Sequence, residues 1–159
     1  MAQAKPEQPV FLVVVDDSEE MHQALQFACG RARSVGGRVA LLYCIVPTNV
    51  AFWASIGDLM REEAREEAEA KMSIHADYVR KLTSDTPILY VREGDISDEL
   101  LSLIDEEHDI SLLVLGADTK SETAGPLITF LMARGASRCR VPITVVPGNL
   151  TDEQLDALF

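Results

Sequence analysis

Apolar residues gather in five short continuous runs along the chain, and each run has the length of a β-strand. A strand covered on both faces is apolar throughout, whereas a half-exposed strand alternates apolar and polar residues. These runs do not alternate, and they predict a sheet that is buried on both sides. The predicted strands are Val10–Val15, Val39–Val46, Pro87–Val91, Ile110–Leu115 and Pro142–Val146.

Between the runs, apolar residues recur at steps of three and four, which is the spacing of one helix face. We expect the first helix to be capped by Asp17 or Ser18 and to end at Gly36. The other helices are predicted over residues 56–83, from Asp95 or Ser97, from Pro126, and at the capping box of Thr151 and Gln154. Strands that alternate with helices predict a single α/β domain with a parallel sheet and helices on both faces.

The net charge of the chain excludes some classes of binding partner. The chain of 159 residues has 26 acidic and 14 basic residues, which gives a formal net charge of −12. A surface this acidic repels nucleic acids and anionic membranes, so neither is an expected partner. The N-terminal residues are polar and no apolar run approaches the roughly 20 residues of a membrane span, so we expect a cytoplasmic protein. Scattered cysteines and histidines predict buried thiols and no metal site.

Candidate chemistry lies where the predicted strands end. Ligands of open parallel sheets bind outside the carboxyl ends of the strands, near the point where the strand order reverses. Asp16 follows the first strand, and the loop Gly116–Gly125 follows the fourth. That loop can bring backbone N–H groups and Lys120 to a phosphate, although Asp118 and Glu122 would repel one. A plain connection is the alternative interpretation of the loop.

No catalytic grouping is visible in the sequence. It contains no G-x-S-x-G nucleophile motif, no phosphate-binding G-x-x-x-x-G-K-[ST] loop and no H-E-x-x-H zinc motif. We therefore expect a protein that is not an enzyme.

Four segments resemble the universal stress protein family: VVVDDSEE at residues 13–20, VALLYCIV at 39–46, LLVLGADT at 112–119 and RCRVPITVVPG at 138–148. The resemblance implies a single doubly wound five-stranded parallel sheet in the order 3-2-1-4-5, of the adenine nucleotide alpha hydrolase-like type. It also implies a cytoplasmic role in stress tolerance. On this basis residues 1–9 are expected to be a flexible N-terminus, 10–148 a universal stress protein domain and 149–159 an acidic tail. The predicted sheet core is Val13, Val15, Leu41, Leu89, Leu113, Leu115, Ile143 and Val145.

A subset of this family binds ATP through a pattern of Gly, two residues, Gly, nine residues, Gly, and then Ser or Thr. The corresponding positions here hold Gly116, Thr119, Thr129 and Phe130, so one of four elements is kept. Side chains at the last three positions are expected to crowd the phosphates. The adenine end is better kept. Asp16 matches the acidic position after the first strand, and Cys44 stands where the family has a small apolar contact.

The resemblance thus gives a degenerate candidate nucleotide site. Its residues are Val14, Val15, Asp16, Cys44, Leu115, Gly116, Asp118, Thr119, Lys120, Thr129 and Phe130. We expect a stress-response regulatory or binding protein that needs no cofactor and does not bind ATP in the usual way. The alternative is a member that binds ATP or AMP through a rebuilt phosphate loop.

The last predicted strand also suggests an assembly. In the order 3-2-1-4-5 it is an edge strand, and its sequence PITVV has no lysine to prevent pairing with another chain. The resemblance implies a homodimer through this strand. The alternative is that the tail Leu150–Phe159 folds back and covers it. An unknown further protein partner is left open.

Overall fold

A computed structural model of the chain describes residues 8–46 and 58–159. The strands, in chain order, are β1 (Val10–Val15), β2 (Arg38–Ile45), β3 (Ile88–Glu93), β4 (Ile110–Ala117) and β5 (Ile143–Pro147). They form one sheet in the order β3-β2-β1-β4-β5, and all neighbouring strands are parallel. The predicted fold class and strand order are confirmed.

The helices are α1 (Met21–Val35), α2 (Asp58–Thr83), α3 (Ile96–Glu106), α4 (Pro126–Phe130) and α5 (Asp152–Asp156). A π-helical turn, Leu131–Gly135, and a 3₁₀ turn, Ala136–Arg138, continue α4 toward β5. Residues 1–7 of the predicted flexible N-terminus and residues 56–57 of the predicted long helix lie outside the described residues.

Strand β1 is the centre of the sheet, and every one of its residues is buried. Because successive side chains of a strand point to opposite faces, β1 contributes to two apolar cores. Leu12 and Val14 pack on the face covered by α3 and α4, whereas Val13 and Val15 pack on the face covered by α1 and α2. The uninterrupted apolar sequence of β1 follows from this double coverage.

The predicted core is correct in the three inner strands and fails at the edges. Val13, Val15, Leu41, Leu113 and Leu115 are buried. By contrast, Leu89 on β3 is 44% exposed and Val145 on β5 is 39% exposed, while Ile143 is partly buried. An edge strand has a neighbour on one side only, so the helices that cover the sheet centre leave part of its side chains in solvent.

The start of α1 differs from the prediction. Glu20 occupies the N-cap position in a helical conformation and makes no side-chain cap. Asp17 instead pairs with Lys71 of α2, with 3.3 Å between Oδ2 and Nζ, so neither Asp17 nor Ser18 caps the helix. The other end is as expected: Gly36 adopts φ +70°, a left-handed conformation that glycine accepts without strain.

The remaining caps agree with the sequence. Asp95 accepts a hydrogen bond from the backbone N–H of Asp98 at 3.1 Å, which caps α3. Thr151 and Gln154 form the reciprocal capping box that begins α5. Both helices therefore begin at cap residues that the sequence predicted.

The C-terminal tail packs on α1. Leu155 of α5 is fully buried, and the Phe159 ring lies over Gly30 of α1 with its centroid 5.4 Å from that of Phe27. The tail therefore covers a helix and does not run along β5. Within the described residues, β5 pairs with β4 alone, so its outer edge has no strand partner.

Candidate functional site

A crevice of about 300 Å³ opens at the carboxyl ends of β1 and β4. At this point the strand order reverses. Strand β1 has β2 as its neighbour on one side and β4 as its neighbour on the other. The loops that follow the two strands diverge here and leave space between them, which is why ligands of such folds bind at this position. The starts of α1, α3 and α4 complete the walls.

The inner walls of the crevice are mainly apolar. Val14 and Leu115 come from the two strands, Met21 from α1, and Ile96 from α3. Helix α4 adds Pro126, Leu127 and Ile128. Val14, Leu115 and Ile128 also belong to the core beneath α3, so the crevice opens directly onto packed structure. Its inner walls are therefore held in place by the core.

Gly116 and Gly148 let the start of α1 approach the ends of β4 and β5 very closely. A Cβ atom on Gly116 would meet the backbone carbonyl of Glu20, with its carbonyl carbon 2.6 Å away. A Cβ atom on Gly148 would lie 2.6 Å from the Cβ atom of Glu20. Both distances are below any real contact, so Glu20 occupies the space that the absent side chains leave. Gly116 thus has a packing role that requires no ligand.

Carboxylates supply the charge of the crevice. Asp16, Glu20 and Asp95 line it, and no basic residue is among the described residues that do so. Asp16 Oδ1 accepts hydrogen bonds from the backbone N–H of Ser18, at 2.9 Å, and from the Ser18 hydroxyl. Asp95 uses Oδ2 for the cap of α3. None of the three forms an ion pair within residues 8–46 and 58–159.

The loop after β4 directs its one lysine away from this space. Lys120 Nζ pairs with the Glu19 carboxylate at 2.5 Å, and this contact raises the pKa of the lysine. Asp118 accepts hydrogen bonds from the Ser121 hydroxyl and from the backbone N–H of Lys120, at 2.6 and 2.8 Å, and both lower its pKa. The loop is thus held by polar contacts within itself and with Glu19.

The profile of the universal stress protein family matches residues 10–147, which is most of the chain. The chain belongs to the universal stress protein family. Its appended tail, with α5, lies beyond the matched residues. A search of curated protein sequences gave no match.

Solved structures support the same fold. The chain is similar to universal stress protein UspA from Lactobacillus plantarum, with a TM-score of 0.71 and 17% identity over 87% of this chain and 97% of that one. A universal stress protein in complex with cAMP gives a TM-score of 0.64 and 21% identity, covering 87% and 96%. The Archaeoglobus fulgidus protein in complex with dAMP gives 0.56 and 18%, covering 87% and 96%.

In this universal stress protein, the crevice brings together four of the residues expected at a nucleotide site. Val14, Asp16, Leu115 and Gly116 line it. Val15 points to the opposite face of the sheet, into the core beneath α1. The sequence could not separate Val14 from Val15, because a fully apolar strand carries no alternation to mark its two faces.

Cys44 lies at the end of β2, outside the walls of the crevice. Its Sγ donates to the carbonyl of Gly94 at 3.3 Å, and burial, with smaller effects from Glu99 and Asp95, raises its pKa to about 11. The thiol is therefore protonated at neutral pH and is a poor nucleophile.

The last three positions of the family pattern are not among the residues that line the crevice. Thr119 is exposed, and the Thr129 hydroxyl donates to the Gly125 carbonyl at 2.8 Å. The Phe130 ring packs toward Gly135 and the core beneath α3. None of the three forms a crevice wall. Asp118 and Lys120 are engaged within the loop and with Glu19.

Sequence reasoning missed the helix starts that form the rest of the site. Asp95 was assigned a capping role only, and Glu20 no role at the site. Both follow a strand by a few residues, and every such segment in a parallel sheet emerges at the same edge. The position of both residues just after a strand was therefore a usable signal. It could not show that α3, which follows the edge strand β3, begins at the wall of the crevice.

None of the helices within residues 8–46 and 58–159 is long and apolar enough to cross a membrane. The same residues contain no group of three or more side chains that could hold a metal ion.

Proposed function

We propose that this protein is a cytoplasmic, non-catalytic stress-response protein whose crevice does not bind ATP in the way of the nucleotide-binding members of its family. One observation carries the proposal: three carboxylates and no basic residue line the described crevice. A bound triphosphate would lie among like charges, in a chain whose net charge is already −12. Such an arrangement opposes binding at every distance inside the Debye length.

The helix starts around the crevice offer few donors to a phosphate. The N-terminus of α3 is capped by Asp95, and its first turn adds Asp98 and Glu99. Helix α4 begins with Pro126, which has no backbone N–H, and Glu20 stands at the start of α1. Each missing charge-assisted hydrogen bond weakens binding by about 1.5–3 kcal/mol. The loss of two would take a micromolar site to roughly millimolar affinity.

A second function has specific support. Two similar structures were solved with cAMP and with dAMP. Gly116 and Asp16 line the crevice of this chain, and both match family positions. A nucleotide with a single phosphate brings less charge than ATP. Binding of AMP at the same crevice is therefore the alternative.

Calorimetric titration with ATP, AMP and adenosine tests the proposal, together with analysis of any nucleotide that co-purifies. We expect ATP to bind with a dissociation constant weaker than about 10 µM. A tighter constant would overturn the proposal in favour of a rebuilt phosphate loop. In that case Lys120→Ala should weaken ATP more than adenosine, whereas Lys81→Ala, an equal change of charge on α2, should affect neither.

We also propose that two copies pair through β5. The supporting observations are an edge without a strand partner among the described residues and a partly exposed Val145. The tail packs on α1 and leaves this edge uncovered. Pairing along the edge would satisfy backbone groups that otherwise face solvent.

A further inference from the structure

We propose that the face of α1 around Gly30 is a docking groove for an amphipathic peptide segment, and that the partner it accepts is the tail of a second copy of this chain. The groove is formed by Phe27 and Gly30 of α1 and by Tyr78 of α2, and residues 149–159 of the same chain fill it. These three residues are not among those that line the crevice, so the inference does not depend on the proposed function.

Gly30 gives the groove its depth. It lies in the interior of α1, where glycine weakens a helix relative to alanine. A Cβ atom on Gly30 would meet the ring of Phe159, which therefore occupies the space that a side chain would otherwise take. The same ring packs edge-on against Phe27, with 5.4 Å between the two centroids. This face of α1 thus has the shape that receives an aromatic side chain.

The tail of this chain shows which kind of segment the groove accepts. Leu155 is fully buried, and Phe159 follows it by four residues, a spacing that places two side chains on the same side of a helical turn. Burial raises the pKa of the Tyr78 phenol, and Asp152 and Asp156 raise it further, so both carboxylates lie near that phenol. The occupant is therefore a segment with a leucine and an aromatic residue four apart and with carboxylates beside them.

The tail is held by few contacts, so it can leave the groove while the domain stays folded. Leu155 is the one buried residue among 149–159, and a helix of five residues does not persist alone in water. Segments with few buried contacts open locally at a low cost in free energy. A groove vacated in this way fits the tail of a second copy equally well, because the two copies have the same sequence. Exchange of tails therefore joins two copies.

Fluorescence anisotropy with a labelled peptide of residues 149–159 tests the groove. The receptor is the full chain with Leu155→Ala and Phe159→Ala, whose own tail no longer fills the groove. We expect the peptide to bind this receptor with a dissociation constant of about 0.1–1 mM, because the contact is small. The unchanged protein should bind the peptide at least about tenfold more weakly, because its own tail competes for the groove at a high effective concentration.

Variants of the peptide and of the receptor locate the contact. A peptide with Phe159→Ala should bind at least about tenfold more weakly, whereas a peptide with Leu158→Ala should bind within about twofold of the original, because Leu158 is 58% exposed. Gly30→Ala in the receptor should also weaken binding at least about tenfold, because its methyl group takes the place of the ring. Alanine favours a helix more than glycine does, so this loss would not come from unfolding of α1.

Competition tests the second copy as the partner. The full chain with Gly30→Ala alone has its tail displaced from its own groove, so it should displace the labelled peptide at concentrations close to those of unlabelled peptide. The matched control is the full chain with Gly30→Ala, Leu155→Ala and Phe159→Ala, which should not displace it. Both competitors keep β5 unchanged, so pairing through that strand does not affect the comparison.

No peptide binding to the receptor up to about 3 mM, or binding that Gly30→Ala leaves unchanged, would overturn the inference. Peptide binding without competition by the Gly30→Ala chain would overturn the second copy as the partner. If the receptor does not fold, the full chain with Phe159→Ala alone keeps Leu155 in the core and takes its place. The ATP titration decides the proposed function separately, so either can fail without the other.

Discussion

At the scale of single residues, Gly116 shows how one position can satisfy a family pattern for a structural reason. A Cβ atom at this position would meet the backbone carbonyl of Glu20, which leaves no room for a side chain. The same glycine is the only kept element of the ATP pattern. Its presence is explained by the packing of α1 on β4, without any phosphate.

Gly116→Ala should therefore destabilise the protein in the absence of ligand. The added methyl group meets backbone atoms, and backbone has to move to admit it, at a cost of about 1–3 kcal/mol. Urea unfolding followed by circular dichroism measures the change. An unchanged midpoint, with an effect on nucleotide affinity only, would mean that the glycine serves a ligand.

The buried thiols predict how stability depends on alkaline pH. Burial raises the pKa of Cys29 to about 12 and that of Cys44 to about 11, from a reference of 9.0. Between pH 9 and 11 the unfolded chain holds fewer of these protons than the folded chain does. The contribution of these two thiols to the free energy of unfolding should therefore be constant well below pH 9 and fall as the pH rises through 9 and beyond.

Unfolding titrations at pH 8, 9, 10 and 11 measure this fall. Cys44→Ala should make it less steep, since one of the two thiols no longer titrates, while the contribution of Cys29 remains. A slope identical to that of the unchanged protein would show that Cys44 does not contribute.

At the scale of elements, α5 adds a packed contact outside the part of the chain that the family profile matches. Leu155 is fully buried in the core shared with α1, and Leu158, three residues later, is 58% exposed. The two leucines thus allow a matched comparison within one short segment.

Leu155→Ala should lower the free energy of unfolding by about 2–3 kcal/mol, because it removes buried methyl groups and leaves a cavity. Leu158→Ala should change it by no more than about 0.5 kcal/mol. Chemical denaturation of both variants provides the measurement. Equal effects would show that the tail does not hold its place on α1.

The two edge strands provide a second matched pair. Val145 on β5 and Leu89 on β3 are exposed to a similar degree, 39% and 44%. If copies pair through β5, Val145→Lys should shift the protein from dimer to monomer at micromolar concentration, because it places a charge in the interface. Leu89→Lys should leave the dimer intact. Sedimentation velocity distinguishes the two species, and a monomeric unchanged protein would contradict the pairing.

At the scale of the whole molecule, the sequence predicted the sheet better than the site. Apolar runs and helical spacing predicted a parallel α/β sheet, whose right-handed connections leave few arrangements, and the resemblance to the universal stress protein family supplied the strand order. Leu89 and Val145 were misassigned because their local sequence does not show how far a helix reaches over an edge. Glu20 and Asp95 were missed because three separate helix starts meet only in the folded chain.

The central position of β1 determines which parts of the sheet exchange their amide hydrogens first and which last. Both its neighbours and both its faces must open before its amides reach water, whereas β3 and β5 each have a strand neighbour on one side only among residues 8–46 and 58–159. Hydrogen exchange in the native protein should therefore be slowest in β1, and it should be faster in the two edge strands. Because Val14 belongs to this slowest segment and is also a wall of the crevice, that wall should persist when the tail and the edge strands open locally.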